Sequence, residues 1–323
     1  MELIQPPFAS VTVDLSYLGL ICISGSDAQS FLQGQLSCDI RTLDTNTATY
    51  GGYCTPKGRL LSSFLIWRGA ENTDYWLQLP VNLVQPMIKR LSMFVMRAKV
   101  VLQDKTDALV RIGIVGRNAM ALLNECLTEI TPTLHTLSVL HTDKGQVIRH
   151  SDYRVEIITT PAQANTTWEQ CKRVMTPAET DCWKWQEICE GIPTIQIETQ
   201  EAFIPQMINL DKIGGVSFQK GCYPGQEIVA RTQYLGKLKK RLYRAYIKSS
   251  NTVAAGDLLY SEDMEQQASG MIINAAPAFS SNTNGGSDVL AVLQISSAAT
   301  HEIHWQTTTG PVLKLLPLPY SVE

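Results

Sequence analysis

No stretch of the chain approaches the roughly 18 apolar residues that a bilayer span needs. The N-terminus, MELIQPPFASVTVDLS, lacks both a basic start and an apolar core, so it does not read as a signal peptide. These absences lead us to expect a cytoplasmic protein without membrane contact. Neither sign of charge is in excess: 27 Lys and Arg stand against 30 Asp and Glu, for a net charge of −3. That excludes a chain that coats nucleic acid along its whole length, and leaves RNA contact to a local patch. None of the 8 cysteines stands in a C-x-x-C pair, so no metal ion or iron–sulfur cluster held by this chain alone is expected. There is no P-loop, dinucleotide fingerprint or G-x-S-x-G. HEIH (301–304) sets its histidines at i and i+3, whereas the helical zinc motif needs i and i+4. On a strand the two would face opposite ways.

What is present is ordinary material for a folded core. Of 323 residues, 44% are hydrophobic and 18% charged, enough for two or three domains. The first two thirds mix strands and helices. LGLICIS (18–24) reads as a buried strand, followed by a helix with Ser26 as cap and Gln29 as its capping-box partner. Segments 50–54 and 60–67 flank the turn TPKG as a hairpin. A strand at 75–79 precedes an amphipathic helix from Val84, in which Pro86 belongs to the first turn. Strands are expected near 99–103, 109–115 and 153–159, and helices near 118–126 and 168–174. This order predicts an α+β body with mostly antiparallel sheets over residues 1–240. After residue 240 helical periodicity stops. Short strands alternate with turns such as SSNTNGGSD, which predicts a small antiparallel all-β domain over 241–323, a barrel or a compact sandwich.

A helix capped by Thr180 and ending at Gly191 carries the stripe Cys182, Trp185, Ile188 and Cys189. Trp183 lies off that stripe, so it is either a surface residue or faces a second apolar environment such as a pocket.

Most cysteines sit in apolar runs and read as small core residues. Cys222 does not. In KGCYPGQE it is flanked by Gly221 and, two residues past Tyr223, by Gly225, which allow tight backbone and close approach of a ligand. Pro224 suits the first turn of a helix that continues through Gln226 and Glu227, with Glu227 and Arg231 able to pair at i and i+4. The helix N-terminus and Lys220 both favour a thiolate, so the expected thiol pKa lies below roughly 8.5. From 231 to 248 the chain carries Arg231, Lys237, Lys239, Lys240, Arg241, Arg244 and Lys248 and no acid. This reads either as a solvated face or as an anion site for RNA phosphates or a ligand carboxylate.

With FIPQ upstream and VAR downstream, KGCYPGQE resembles the signature of the YgfZ family of folate-binding proteins, relatives of the glycine-cleavage aminomethyltransferase. ISGSDAQSFLQGQLSCDI (23–40), YCTPKGRLLSSF (53–64), GIPTI (191–195) and LPLPYS (316–321) extend the resemblance over nearly the whole chain. It implies ferredoxin-like α/β halves around a central cavity that binds tetrahydrofolate, with a C-terminal β-barrel. It also implies an accessory role in assembling or repairing iron–sulfur enzymes, such as a tRNA-thiomethylating enzyme, without established turnover. Cys222 is then the working thiol and Trp183 a folate contact. Leu18 stands where the family pattern can place a further folate-contacting tryptophan, and supplies apolar contact without a stacking face. The alternatives are a folate-dependent one-carbon transferase acting on a small amine or tRNA, and a direct tRNA-binding module.

Overall fold

The computed structural model describes residues 4–70, 73–127, 134–265, 267–279 and 285–322. The turn expected at 280–284 lies outside them. Three sheets organise the chain. The first has the order Ala48–Cys54, Leu60–Arg68, Tyr75–Pro80, Leu18–Ser24 and Val101–Asp104, with every pairing antiparallel. Its interior strand LGLICIS, between Tyr75–Pro80 and Val101–Asp104, is buried along almost its whole length, as a near-continuous apolar run requires. The helices Ala28–Gln33 and Val81–Ser92 cover the sheet and share its core.

The second sheet runs Thr176–Ala178, Val11–Asp14, Val110–Val115, Arg154–Thr159, Gly145–Arg149 and Ser138–Thr142. Thr176–Ala178 pairs with Val11–Asp14 in parallel; the other pairings are antiparallel. The helices Ala119–Leu127 and Pro161–Val174 pack on it. The third sheet runs His304–Trp305, Leu258–Tyr260, Gly270–Pro277, Ser287–Gln294, Lys240–Ile247 and Leu313–Leu316, all antiparallel. Its two ends meet at a single bridge between His304 and Val312. Mixed α/β halves followed by an antiparallel C-terminal sheet are therefore present. No helix among the described residues is long and apolar enough to cross a membrane.

Three local expectations change. The 81–92 helix starts at Val81 behind Pro80, three residues earlier than its apolar spacing predicts, so Pro86 lies in the second turn. The backbone bond that Pro86 cannot donate falls at exposed Asn82 and Pro86, where water can take the carbonyl. The hairpin Ser138–Thr142/Gly145–Arg149 was not expected. Its alternation is weak, and the signal that marks it is Gly145 with φ +132°. The apolar run Val216–Phe218, which by its composition reads as a short strand, is instead a loop, tied by Ser217 N donating to Ser37 O at 2.9 Å.

Candidate functional site

The cysteine segment is a loop anchored from below. Ser37 Oγ donates to Gly215 O at 2.6 Å, and Lys220 Nζ donates to the carbonyls of Leu36 and Cys38 at 2.6 and 2.7 Å. Lys220 is buried, and burial pushes its pKa down to about 8. Its ammonium is turned into the protein toward those carbonyls and stands 5.4 Å from the Tyr223 ring centroid. The expectation that it serves the Cys222 sulfur is corrected accordingly: the lysine holds the loop. Tyr223 is buried, and Gln226 Nε2 donates back to Lys220 O at 3.3 Å.

Gly225 caps the helix Gln226–Tyr234 in the left-handed region, φ +81°. A Cβ there would lie 2.5 Å from Thr55 O and 2.6 Å from the Gly58 Cα, so only glycine lets the loop sit on the hairpin turn. Pro224 therefore precedes the helix instead of opening it. Gly221 has open space where a Cβ would stand, so steric need explains Gly225 and not Gly221. Between these anchors Cys222 is exposed, whereas the other seven cysteines are buried. Burial drives the Cys38 and Cys54 thiols up to about 12, far from nucleophilic use at neutral pH.

The second cluster surrounds the helix Asp181–Cys189. Its two apolar sides enter different cores: Trp185, Ile188 and Cys189 pack toward the third sheet, and Cys182 and Trp183 toward the second. Trp183 is fully buried, so it is neither a surface residue nor a cavity wall. The Arg154 guanidinium lies 4.8 Å from its ring centroid, His150 meets it edge-on at 5.2 Å, and Gly113 lies against its six-membered ring. The free stacking face that the resemblance implies for Trp183 is thus covered. Its Nε1 donates to Glu187 Oε1 at 3.1 Å.

Arg154 is completely buried and reaches Glu190 at 2.6 Å and Glu187 at 3.1 Å. Burial opposes its charge, but the two carboxylates hold it protonated, above its ordinary range. Burial raises the Glu187 pKa, and Arg154 limits the rise. Beside them His150 meets Glu156 at 2.9 Å, and Gln78 donates to the other oxygen of Glu156.

This network floors a cleft. An inner cavity of about 40 Å³ is bounded by Leu18, Tyr50, Gln78, His150 and Glu187. It shares Pro80, Glu187, Ile192 and Thr194 with an outer cleft of about 490 Å³. The outer cleft runs between Tyr17, Asn82, Lys184, Glu187, the third sheet at Asn274 and the loop before its strand Leu258–Tyr260 at Val253. The Tyr17 hydroxyl is buried without a hydrogen-bond partner, and Lys184 Nζ lies 5.0 Å from the Tyr17 ring centroid. No residue of segment 219–227 lines either space. The hairpin Ala48–Cys54/Leu60–Arg68 connects the two regions, its turn under Gly225 and its middle, at Tyr50 and Leu65, in the inner cavity.

A model of the GCVT N-terminal domain matches residues 9–170. A tRNA-modifying protein YgfZ from Colwellia psychrerythraea is 31% identical over 231 residues, 72% of this chain and 70% of that protein. The protein of the same name from Sodalis glossinidius is 28% identical over 313 residues, 96% of this chain and 93% of that one. The chain belongs to the YgfZ family. The glycine-cleavage aminomethyltransferase T from Bartonella henselae shares the fold, with a TM-score of 0.78 at 14% identity over 96% of this chain and 86% of that one.

In this YgfZ-family chain the basic stretch divides. Arg231 pairs with Glu227 at 3.1 Å on the exposed helix face. Arg241 pairs with Asp211 at 2.9 Å, and buried Arg244 faces Asp288 at 3.7 Å. Lys237 and Lys239 are exposed and Lys240 is half-buried, and none of the three forms an ion pair among the described residues. The buried Arg154–Glu187–Glu190 cluster escaped the sequence reading. Arg154 stands in a strand, and the two acids flank an apolar stripe, so nothing in the spacing marks them as partners.

Proposed function

We propose that this YgfZ-family chain is a folate-binding accessory protein that supports tRNA modification through iron–sulfur enzymes, with Cys222 as its working thiol. The observation that carries this reading is the contrast among the cysteines: seven are buried, and the eighth is exposed on a loop held by buried Lys220 and Gly225. A structural cysteine gains nothing from such a setting, whereas a thiol that meets a partner needs exposure on a rigid base. The relatives' name, tRNA-modifying protein, supports the cellular role.

The outer cleft fits tetrahydrofolate by size and chemistry. About 490 Å³ lies within the usual range of small-molecule sites. The unpartnered Tyr17 hydroxyl and the Glu187 carboxylate suit the polar edge of a pterin, and Lys184 suits a carboxylate tail. Bound there, folate would carry one-carbon units. The inner cavity, at about 40 Å³, has room for a water molecule and not for the bicycle. Lys237, Lys239 and Lys240 offer a contact for tRNA or for a client such as a tRNA-thiomethylating enzyme.

The test is complementation of a bacterium lacking its own family member, with thiomethylated tRNA nucleosides measured by mass spectrometry. Wild type restores them and Cys222→Ser does not. Full restoration by Cys222→Ser, at equal protein level, would remove the thiol from the function.

A further inference from the structure

A third cavity, of about 360 Å³, lies apart from both regions, beside the helix Val81–Ser92. Leu61, Leu83, Pro86 and Met87 supply apolar lining, and Lys89 and Arg90 stand at its rim. Met93 continues the cavity outward and is 63% exposed; Phe94 beyond it is 46% and Met96 88% exposed. Three large apolar side chains exposed within four residues are unusual on a surface that stays in water. Met96 also adopts φ +44°, a strained conformation for a side-chain-bearing residue.

The charge of the segment is one-sided. From 75 to 103 there are Lys89, Arg90, Arg97 and Lys99 and no Asp or Glu. Lys89 and Arg90 also complement the helix dipole in its last turn. Arg97 and Lys99 lie beyond the helix and have no such reason. None of the four forms an ion pair among the described residues. Glu201, on the facing wall, is the single acid among the described lining residues.

We propose that this surface docks a segment of a partner protein that is acidic and carries apolar anchor residues. One anchor enters the cavity, the methionines adapt to the rest, and the cations pair with flanking acids. A protein segment suits the site better than RNA. Phe94 is the one exposed aromatic residue of the surface, Tyr53 is buried and the lining is mostly aliphatic, whereas single-stranded RNA stacks successive bases on several aromatic faces. The surface shares no lining residue with the folate cleft or the Cys222 loop, so its failure and theirs are separate results.

The probe is a fluorescein-labelled acidic peptide with Leu and Phe spaced three and four residues apart among Glu and Asp, followed by fluorescence polarisation. Wild type is expected to bind it at least about tenfold more tightly than Lys89→Glu/Arg97→Glu or Met93→Ser/Phe94→Ser does, and about tenfold more tightly than it binds polyglutamate of equal charge. All substituted side chains are exposed, and circular dichroism checks that the variants fold. Absence of binding to wild type, or equal binding of polyglutamate, overturns the proposal. So does displacement of the peptide by transcribed tRNA whose own binding is lost in both variants, which would make the surface an RNA site.

Discussion

The ammonium of Lys220 sits beneath the cysteine segment and holds two carbonyls that no water reaches. Hydrogen bonds to a charged group contribute about 1.5–3 kcal/mol each, and a buried carbonyl left unpaired is costly. Lys220→Met is therefore expected to lower the unfolding free energy by about 2–3 kcal/mol, measured by urea denaturation at neutral pH. The pH dependence has a definite sign. Burial lowers the folded pKa from 10.5 to about 8, so between those values the unfolded chain binds more protons. The stability contributed by this group then rises with pH across that window and is lost as pH falls through about 8. The gap between wild type and Lys220→Met should widen from pH 7.5 to pH 10; a constant gap would mean that the lysine is not buried as described. The neighbouring thiol makes a second prediction at this scale. Because Cys222 is the exposed cysteine of the eight, native protein treated with N-ethylmaleimide should gain one adduct, mapped to Cys222 by peptide mass spectrometry. Two or more adducts before denaturant is added would contradict the burial of the rest. The sequence made Cys222 stand out because glycines and polar groups surround it. It could not show where the side chain of Lys220 points, because Leu36 and Cys38 are brought there by tertiary structure.

The helix Asp181–Cys189 shows how far periodicity reads at the level of the element. Its ends and most of its stripe were legible: Thr180 precedes it, Gly191 follows it in the left-handed region, and Trp185, Ile188 and Cys189 are buried together, while Cys182, expected on the same stripe, joins Trp183 in the other core. Trp183 was correctly placed off the stripe, but the second environment it enters is another core. A helical wheel gives direction and not the identity of the neighbour. Here the neighbour is the strand Val110–Val115, where Gly113 leaves space for the indole. A Cβ at Gly113 would stand 2.7 Å from Val13 Cγ2 and 2.8 Å from Trp183 Cε3. Overpacking of this kind costs about 1–3 kcal/mol. Gly113→Ala should lower the unfolding free energy measured in urea by that amount and perturb the tryptophan emission; a neutral substitution would show that strand and helix have slack. The hairpin at 138–149 was missed for a related reason, since half-buried strands with polar residues on both faces leave little alternation to detect.

Across the whole molecule, the outer cleft draws on segments distant in sequence: Tyr17, Asn82 beyond the first sheet, Lys184 and Glu187 on the tryptophan helix, and Val253 and Asn274 of the C-terminal region. No local motif announces such an assembly. The sequence reading reached a pocket through the position of Trp183 off its helix stripe and through the resemblance, and named Trp183 and Leu18 as its markers, of which Leu18 bounds the inner cavity and Trp183 lies behind Arg154. Tyr17, one residue before Leu18, is the better probe. Its hydroxyl is buried without a partner, and burial, reinforced by the Glu187 charge, keeps it protonated well above pH 10. An orphaned hydroxyl costs the free protein about 1 kcal/mol or more, and a ligand that pairs with it recovers that cost. Tyr17→Phe is therefore expected to move two measurements in opposite directions. The unliganded variant should be more stable than wild type by about 1 kcal/mol in urea, while tetrahydrofolate should bind about five- to tenfold more weakly by calorimetry. A structural tyrosine would lose stability and affinity together. If tetrahydrofolate binds both proteins equally well, the ligand does not use the Tyr17 end of the cleft, and its opposite wall at Val253 and Asn274 becomes the place to look.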